Sequence, residues 1–180
     1  IKNMTLRTRI LMSPMTRGFC PDGGPTAEVA AYYRRRAEGE CGLIITEAVA
    51  VDHPVSSGDA GLDERDVPFL VGEDVLAGWR EVIDQVHEAG AKIVPQLWHQ
   101  GVMRIPGTGP NPDLPSFGPS GIWGPLGKMT SIKPRAIPEG AYVCEPPSDE
   151  QIEDVVAAFV RCATDGVAIG VDGLGLHGGH

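Results

Sequence analysis

No run of apolar residues in this 180-residue sequence approaches the roughly 18 that span a bilayer, so no membrane partner is expected. Positive charge is short: 15 Lys and Arg stand against 24 Asp and Glu, a net charge of -9. That balance argues against nucleic acid or an anionic membrane surface as a partner, and the acidic excess reads as a solvated surface. Cysteine is sparse and poorly spaced for metal. Cys20, Cys41, Cys144 and Cys162 form no C-x-x-C pair, so neither structural zinc nor an iron–sulfur cluster is expected from them. With no basic-then-apolar leader at its start, the sequence reads as cytoplasmic, with four reduced thiols. No Gly-x-Gly-x-x-Gly follows the first apolar run, which counts against a dinucleotide-binding Rossmann domain. At 42% hydrophobic and 22% charged residues, the composition is that of a folded domain with a core.

What is present is an alternation of apolar runs and amphipathic stretches. Ile10 to Thr16 reads as a first strand, followed by a turn-forming loop with Pro21, Asp22, Gly23 and Gly24. Thr26 is placed to cap a helix carrying Val29, Tyr32, Tyr33 and Ala37, with Glu28 in its first turn and Gly39 at its end. Cys41 to Ala48 reads as a second strand. Val75, Leu76, Trp79, Val82, Ile83 and Val86 recur at helical spacing before Gly90. Lys92 to Trp98 reads as a third strand; Pro95 counts against a central position, but the apolar flanks support it. Residues 102 to about 147 hold most of the 16 prolines and read as a long lid or binding loop. Ser148 and Gln151 then form a capping box ahead of Ile152, Val155, Val156, Phe159, Val160 and Ala163, a helix ending at Gly166 or Gly170. Val171 to Leu176 is the last strand. Nearly continuous apolar strands joined through helices imply a parallel sheet, either doubly wound or part of a (β/α)8 barrel.

Strand alternation sorts the candidate residues. Pro14 and Thr16 share a face, as do Thr46 and Ala48, Gln96 and Trp98, and Gly173, Gly175 and His177. The other face carries Leu43 and Ile45, Ile93 and Leu97, and Leu174 and Leu176, suited to packing under helices. Each strand thus ends with polar, small or aromatic groups on one face, and in a barrel that face opens at the C-terminal mouth where active sites form. His99 falls on the opposite face from Gln96 and Trp98 and reads as structural.

The sequence ends on Leu176-His-Gly-Gly-His180. The two glycines let the chain turn after His177 and bring both imidazoles toward one point. Such a pair can ligate a metal, hold an anion or donate two hydrogen bonds to one oxygen. A metal-dependent barrel hydrolase and a non-catalytic half-barrel are therefore open readings, although no carboxylate has an evident place on the same strand face.

Met12-Ser-Pro-Met-Thr-Arg17, Ala30-Ala-Tyr-Tyr33, Gly42-Leu-Ile-Ile-Thr-Glu-Ala48, Gln96-Leu-Trp-His99 and the terminal histidine motif occur in order along almost the whole chain. Together they resemble the old yellow enzyme family of FMN-dependent ene reductases. The resemblance implies an α/β fold, a (β/α)8 TIM barrel of which this chain covers the first four strands, with NADH or NADPH as reductant. It implies that Pro14, Met15 and Thr16 contact the flavin and that Ala48 and Gln96 lie against its ring. His177 and His180 would hold the activating oxygen of an electron-poor alkene such as an enone, His177 also touching the flavin, and Trp98 would shape the substrate pocket. A homo-oligomer fits the same reading. Two imidazole donors at that oxygen would stabilise the negative charge that hydride transfer places there. A (β/α)8 barrel takes about 250 residues. The family's proton-donating tyrosine, flavin-facing arginine and phosphate loop have no counterpart in the sequence, so residues 1–180 are expected to be the N-terminal part of one such domain. Gly175 stands where the family often has a larger side chain, which widens the pocket floor, and His180 stands where some members have asparagine.

Overall fold

The computed structural model describes residues 4–58, 66–122 and 144–179. Its elements are β1 (Leu11–Met12), α1 (Ala27–Glu38), β2 (Leu43–Ala50), α2 (Glu73–Glu88), β3 (Lys92–Trp98), α3 (Asp149–Ala168) and β4 (Gly175–Leu176), with 3-10 turns at Pro21–Gly23 and Gly101–Met103. The strands form one parallel sheet in the order β1-β2-β3-β4.

The helices begin where local chemistry dictates. The Thr26 hydroxyl accepts the Val29 N–H at the start of α1, and Glu28 sits in its first turn. At the start of α3, the Ser148 hydroxyl accepts the Gln151 N–H while the Gln151 side chain accepts the Ser148 N–H, the expected capping box. Gly90, with φ +82°, follows α2 in a conformation that favours glycine. At the other end of α3, Gly166 lies inside the helix, which runs on to Ala168; Gly170, with φ +96°, follows it.

One apolar cluster gathers Val29, Ala30 and Tyr33 of α1, Trp79, Val82 and Ile83 of α2, and Ala158 and Cys162 of α3 against Ile44, Val49, Ile93 and Leu97 of the sheet. Each fully buried Val, Ile or Leu there contributes roughly 1.5–3 kcal/mol. All three helices therefore cover the same face of the sheet. The opposite face carries a separate small cluster of Ala48, Ala50, Val67 and Trp98, with Phe69 against it. Sequential strand order with helices on one side is the barrel arrangement, whereas a doubly wound sheet carries helices on both faces.

Three strand readings need correction. β1 is only Leu11–Met12, because Pro14 has no N–H for a ladder and the chain leaves the sheet there. β4 is only Gly175–Leu176: upstream, the Asp172 N–H donates to the Ile93 carbonyl (3.0 Å) and its carboxylate accepts the Ile93 N–H (2.9 Å), so a side chain replaces part of the ladder. In β2 the faces switch midway. Ile45 pairs with Val94 but Ala48 pairs with Gln96, a bulge of one extra residue. Ile44 before the bulge and Val49 after it face the helices, so Leu43 and Ile45 are not part of the helix-side core. The backbone groups of Ile93 and Leu97 face β4 whereas those of Gln96 and Trp98 face β2, so the missing N–H of Pro95 points toward β4, whose ladder begins only at Gly175, and that explains a proline in a strand paired on both sides. Leu174 and Leu176, expected under helices, are 36% and 72% exposed.

Of the expected 102–147 loop, residues 123–143 lie outside the described residues. The part before them is organised by Arg104, which is fully buried. Its guanidinium donates to the carbonyls of Ser57, Leu114, Thr108 and Asn111, and its own carbonyl accepts the Ser116 hydroxyl. Burial pulls its pKa below the ordinary arginine value. Among the described residues, no helix is long and apolar enough to cross a membrane. The four cysteines form no disulfide; Cys20 and Cys162 are buried.

Candidate functional site

The ends of the four strands meet around a cavity of about 260 Å³ lined by Pro14, Met15, Thr16, Ala48, Gln96, Trp98 and His177. Pro14 to Thr16 follow β1 directly. Ala48 and Gln96 are register partners in β2 and β3, and Gln96 also pairs with Gly175 of β4. The His177 N–H donates to the Leu97 carbonyl at 3.0 Å, which sets its imidazole one strand over from Trp98. Gly175 adds no side chain beside Gln96, where a Cβ would stand 3.7 Å from the Gln96 Cα. Ala48 and Trp98 are buried and give an apolar floor; Gln96 and His177 are half-buried, and Thr16 is exposed at the rim.

Every expected site residue within the described residues thus lines one cavity, and His180 lies outside the described residues. The two glycines between the histidines act differently from expectation. Neither has a positive φ. Instead, Gly179 packs against the His177 ring, where an added Cβ would stand 2.7 Å from Nε2.

Behind the cavity lies a buried polar group that strand patterning did not single out. Glu47 is 1% exposed, and its Oε2 accepts the N–H groups of Arg17 (2.7 Å) and Gly18 (3.1 Å). Its own N–H donates to the Tyr33 hydroxyl at 3.0 Å. Burial pushes the Glu47 carboxyl above the usual range, with the two amides and the Arg17 charge pulling the other way. Burial, with the Glu47 and Asp66 charges, pushes the Cys20 thiol up to about 12, so it is an inert thiol at neutral pH. A carboxylate inside an apolar run was the available sequence signal for Glu47.

His99 is not a cavity residue. Its Nδ1 accepts the Gly101 N–H, which leaves the proton of the neutral ring on Nε2, facing His53 Nδ1 at 2.9 Å. Phe117 packs edge-on against both rings. Two larger cavities, about 850 and 460 Å³, share His53 as a lining residue. The first is bounded by Gly58 and Asp66 and the second by Cys144, residues that flank segments outside the described ones. Among the described residues, no three His, Cys, Asp or Glu side chains are placed to hold a metal ion.

A parallel sheet with helices on one face and a cavity of mixed polar and apolar lining at the strand ends defines the class of barrel folds that carry their sites at the C-terminal ends of the strands. Residues 1–180 match the NADH:flavin oxidoreductase / NADH oxidase family, and the chain belongs to it, the old yellow enzyme family that its motifs resemble. An NADH oxidase of Thermoanaerobacter brockii is 32% identical over 183 residues, covering 100% of this chain and 25% of that protein. A Claviceps fusiformis protein named "Probable inactive dehydrogenase easA" is 33% identical over 175 residues, 96% of this chain and 41% of that protein. Among solved structures, the old yellow enzyme homologue from Zymomonas mobilis is 28% identical with a TM-score of 0.76, covering 97% of this chain and 45% of that one. The chain spans a quarter to under half the length of these relatives. Its four strands are thus those of a half barrel.

Proposed function

We propose that the protein containing this chain is an FMN-dependent NAD(P)H oxidoreductase that reduces the C=C bond of electron-poor alkenes, enones and similar, and that residues 1–180 are the N-terminal part of its FMN-binding barrel. The observation that carries this reading is the convergence of Pro14, Met15, Thr16, Ala48, Gln96, Trp98 and His177 on one cavity. One relative is named an inactive dehydrogenase, so family membership alone does not carry turnover, and the proposal rests on the cavity lining beside it.

The donor set fits a flavin. The small, buried side chain of Ala48 leaves room for a planar ring beside it. The Gln96 amide can both donate and accept at a pyrimidine edge, and the Thr16 hydroxyl can do the same from the rim. FMN supplies hydride chemistry when bound, with NADH or NADPH as the source of electrons. As the alkene carbon accepts hydride, negative charge gathers on the conjugated oxygen, and the His177 imidazole supplies an N–H donor there. On the sequence reading His180 supplies the second. Trp98 shapes the wall against which the alkene lies. The setting is cytoplasmic, the substrate is a small molecule, and a homo-oligomer is compatible with the site.

The full-length protein is expected to be yellow, to bleach with NADH or NADPH, and to recover its colour on adding a cyclic enone. His177→Ala is expected to lower enone turnover by about a hundredfold while FMN stays bound. A colourless full-length preparation that takes up no added FMN would contradict the reading.

A further inference from the structure

Two adjacent residues that do not line the cavity hold its opposite walls. Thr46 and Glu47 occupy the β2 bulge, and both are fully buried. Glu47 reaches toward β1, where its carboxylate takes the amides of Arg17 and Gly18, the two residues directly after Thr16. Thr46 reaches toward β3, where its hydroxyl takes the Gln96 N–H at 3.3 Å while donating to the Glu47 carbonyl at 2.8 Å. Tyr33 of α1 closes the arrangement by accepting the Glu47 N–H. At the bulge the Gln96 N–H, which faces β2, meets the Thr46 hydroxyl in place of a backbone carbonyl.

Burying a carboxylate is costly unless hydrogen bonds replace its water. An apolar side chain would fill the Glu47 volume without that penalty. What the carboxylate adds is a fixed position for two loop amides 30 and 29 residues away in sequence. We propose that Glu47 and Thr46 are positioning residues of the cofactor site, Glu47 setting the Pro14–Thr16 wall and Thr46 the Gln96 wall, so that the bulge fixes the width between them. The inference rests on the FMN reading above and adds to it residues that touch neither FMN nor substrate.

The test uses the full-length protein and four variants: Glu47→Ala, Glu47→Gln, Thr46→Val and Thr46→Ser. Amide hydrogen exchange of the FMN-free protein reads the two walls independently of any ligand. Titration with FMN, followed by flavin fluorescence, reads the site. Glu47→Ala is expected to speed exchange at Arg17 and Gly18 about tenfold or more and to weaken FMN binding by a similar factor. Glu47→Gln, which keeps an acceptor oxygen, is expected to restore both. Thr46→Val does the same at Gln96, and Thr46→Ser, which keeps the hydroxyl, restores it. Folded Glu47→Ala and Thr46→Val proteins with wild-type exchange and wild-type FMN affinity overturn the proposal, as does a drop in melting temperature with FMN affinity unchanged. If Glu47→Ala does not fold, Thr46→Val against Thr46→Ser decides. A wild-type protein that takes up no FMN sinks the functional reading instead, and the exchange pattern then still reports whether the bulge holds both segments.

Discussion

Asp172 shows how one side chain can stand in for a strand. Its Oδ2 accepts from the Ile93 N–H at 2.9 Å and meets His87 Nε2 at 2.7 Å, while Oδ1 meets Lys92 Nζ at 2.7 Å. Burial alone would raise its pKa, but the bonds from Lys92, His87 and Ile93 prevail and hold the carboxyl below the usual carboxylate range. The native state therefore prefers the ionised form more than the unfolded chain does. That stability is complete above the unfolded value of about 4 and is lost as pH falls through the lower folded value. Asp172→Asn should destabilise the protein by about 2 kcal/mol at neutral pH, as read by urea unfolding. The difference from wild type should shrink on acidification below about pH 4. A pH-independent difference would mean that the charge is not what matters.

At the scale of elements, the close packing of α1 on α2 depends on a missing side chain. Gly78 lies inside α2, where glycine ordinarily costs about 1 kcal/mol against alanine. A Cβ there would stand 2.6 Å from the Pro25 carbonyl oxygen, just before the Thr26 cap of α1. Backbone cannot give way as a flexible side-chain tip can, so overpacking should outweigh propensity. Gly78→Ala is expected to lower the thermal midpoint, where the same exchange at an open helical site raises it. A rise would show that α1 shifts freely. α3 presents the opposite case. It buries Ala158, Cys162 and Gly166, yet Ile152, Val156, Val160 and Val167 form an exposed apolar stripe, from 42% to 66% exposed. The sequence places these aliphatics at helical spacing but does not say which of two apolar faces meets the sheet.

For the whole molecule, the same imbalance recurs at the sheet edges. Leu11 beside one edge is 46% exposed, and Leu176 at the other is 72% exposed. Edge strands with exposed leucines pair readily with other chains. The net charge of -9 opposes this only over distances comparable to the screening length. Prepared on its own, the 180-residue chain should self-associate as its concentration rises, in sedimentation velocity. A species that stays monomeric on concentration would show that these edges are covered within the chain.

What the sequence determined by itself was whatever is settled between near neighbours. The Thr26 and Ser148 caps join residues three apart, and the helical spacing of Trp79, Val82, Ile83 and Val86 fixes a face without reference to any other element. The cavity residues were legible for a similar reason: each stands at a strand end within a short motif. Tertiary structure decided what depends on partners far along the chain. The alternation of β2 failed at Leu43 and Ile45 because a bulge at Thr46 and Glu47 shifts its register against β3, about 50 residues on. Glu47, Arg104 and the placement of all three helices on one face were equally hidden. A hydrogen-bonding group advertises what it can do, but the amide or carbonyl that satisfies it, when it is tens of residues away, is chosen only by the fold.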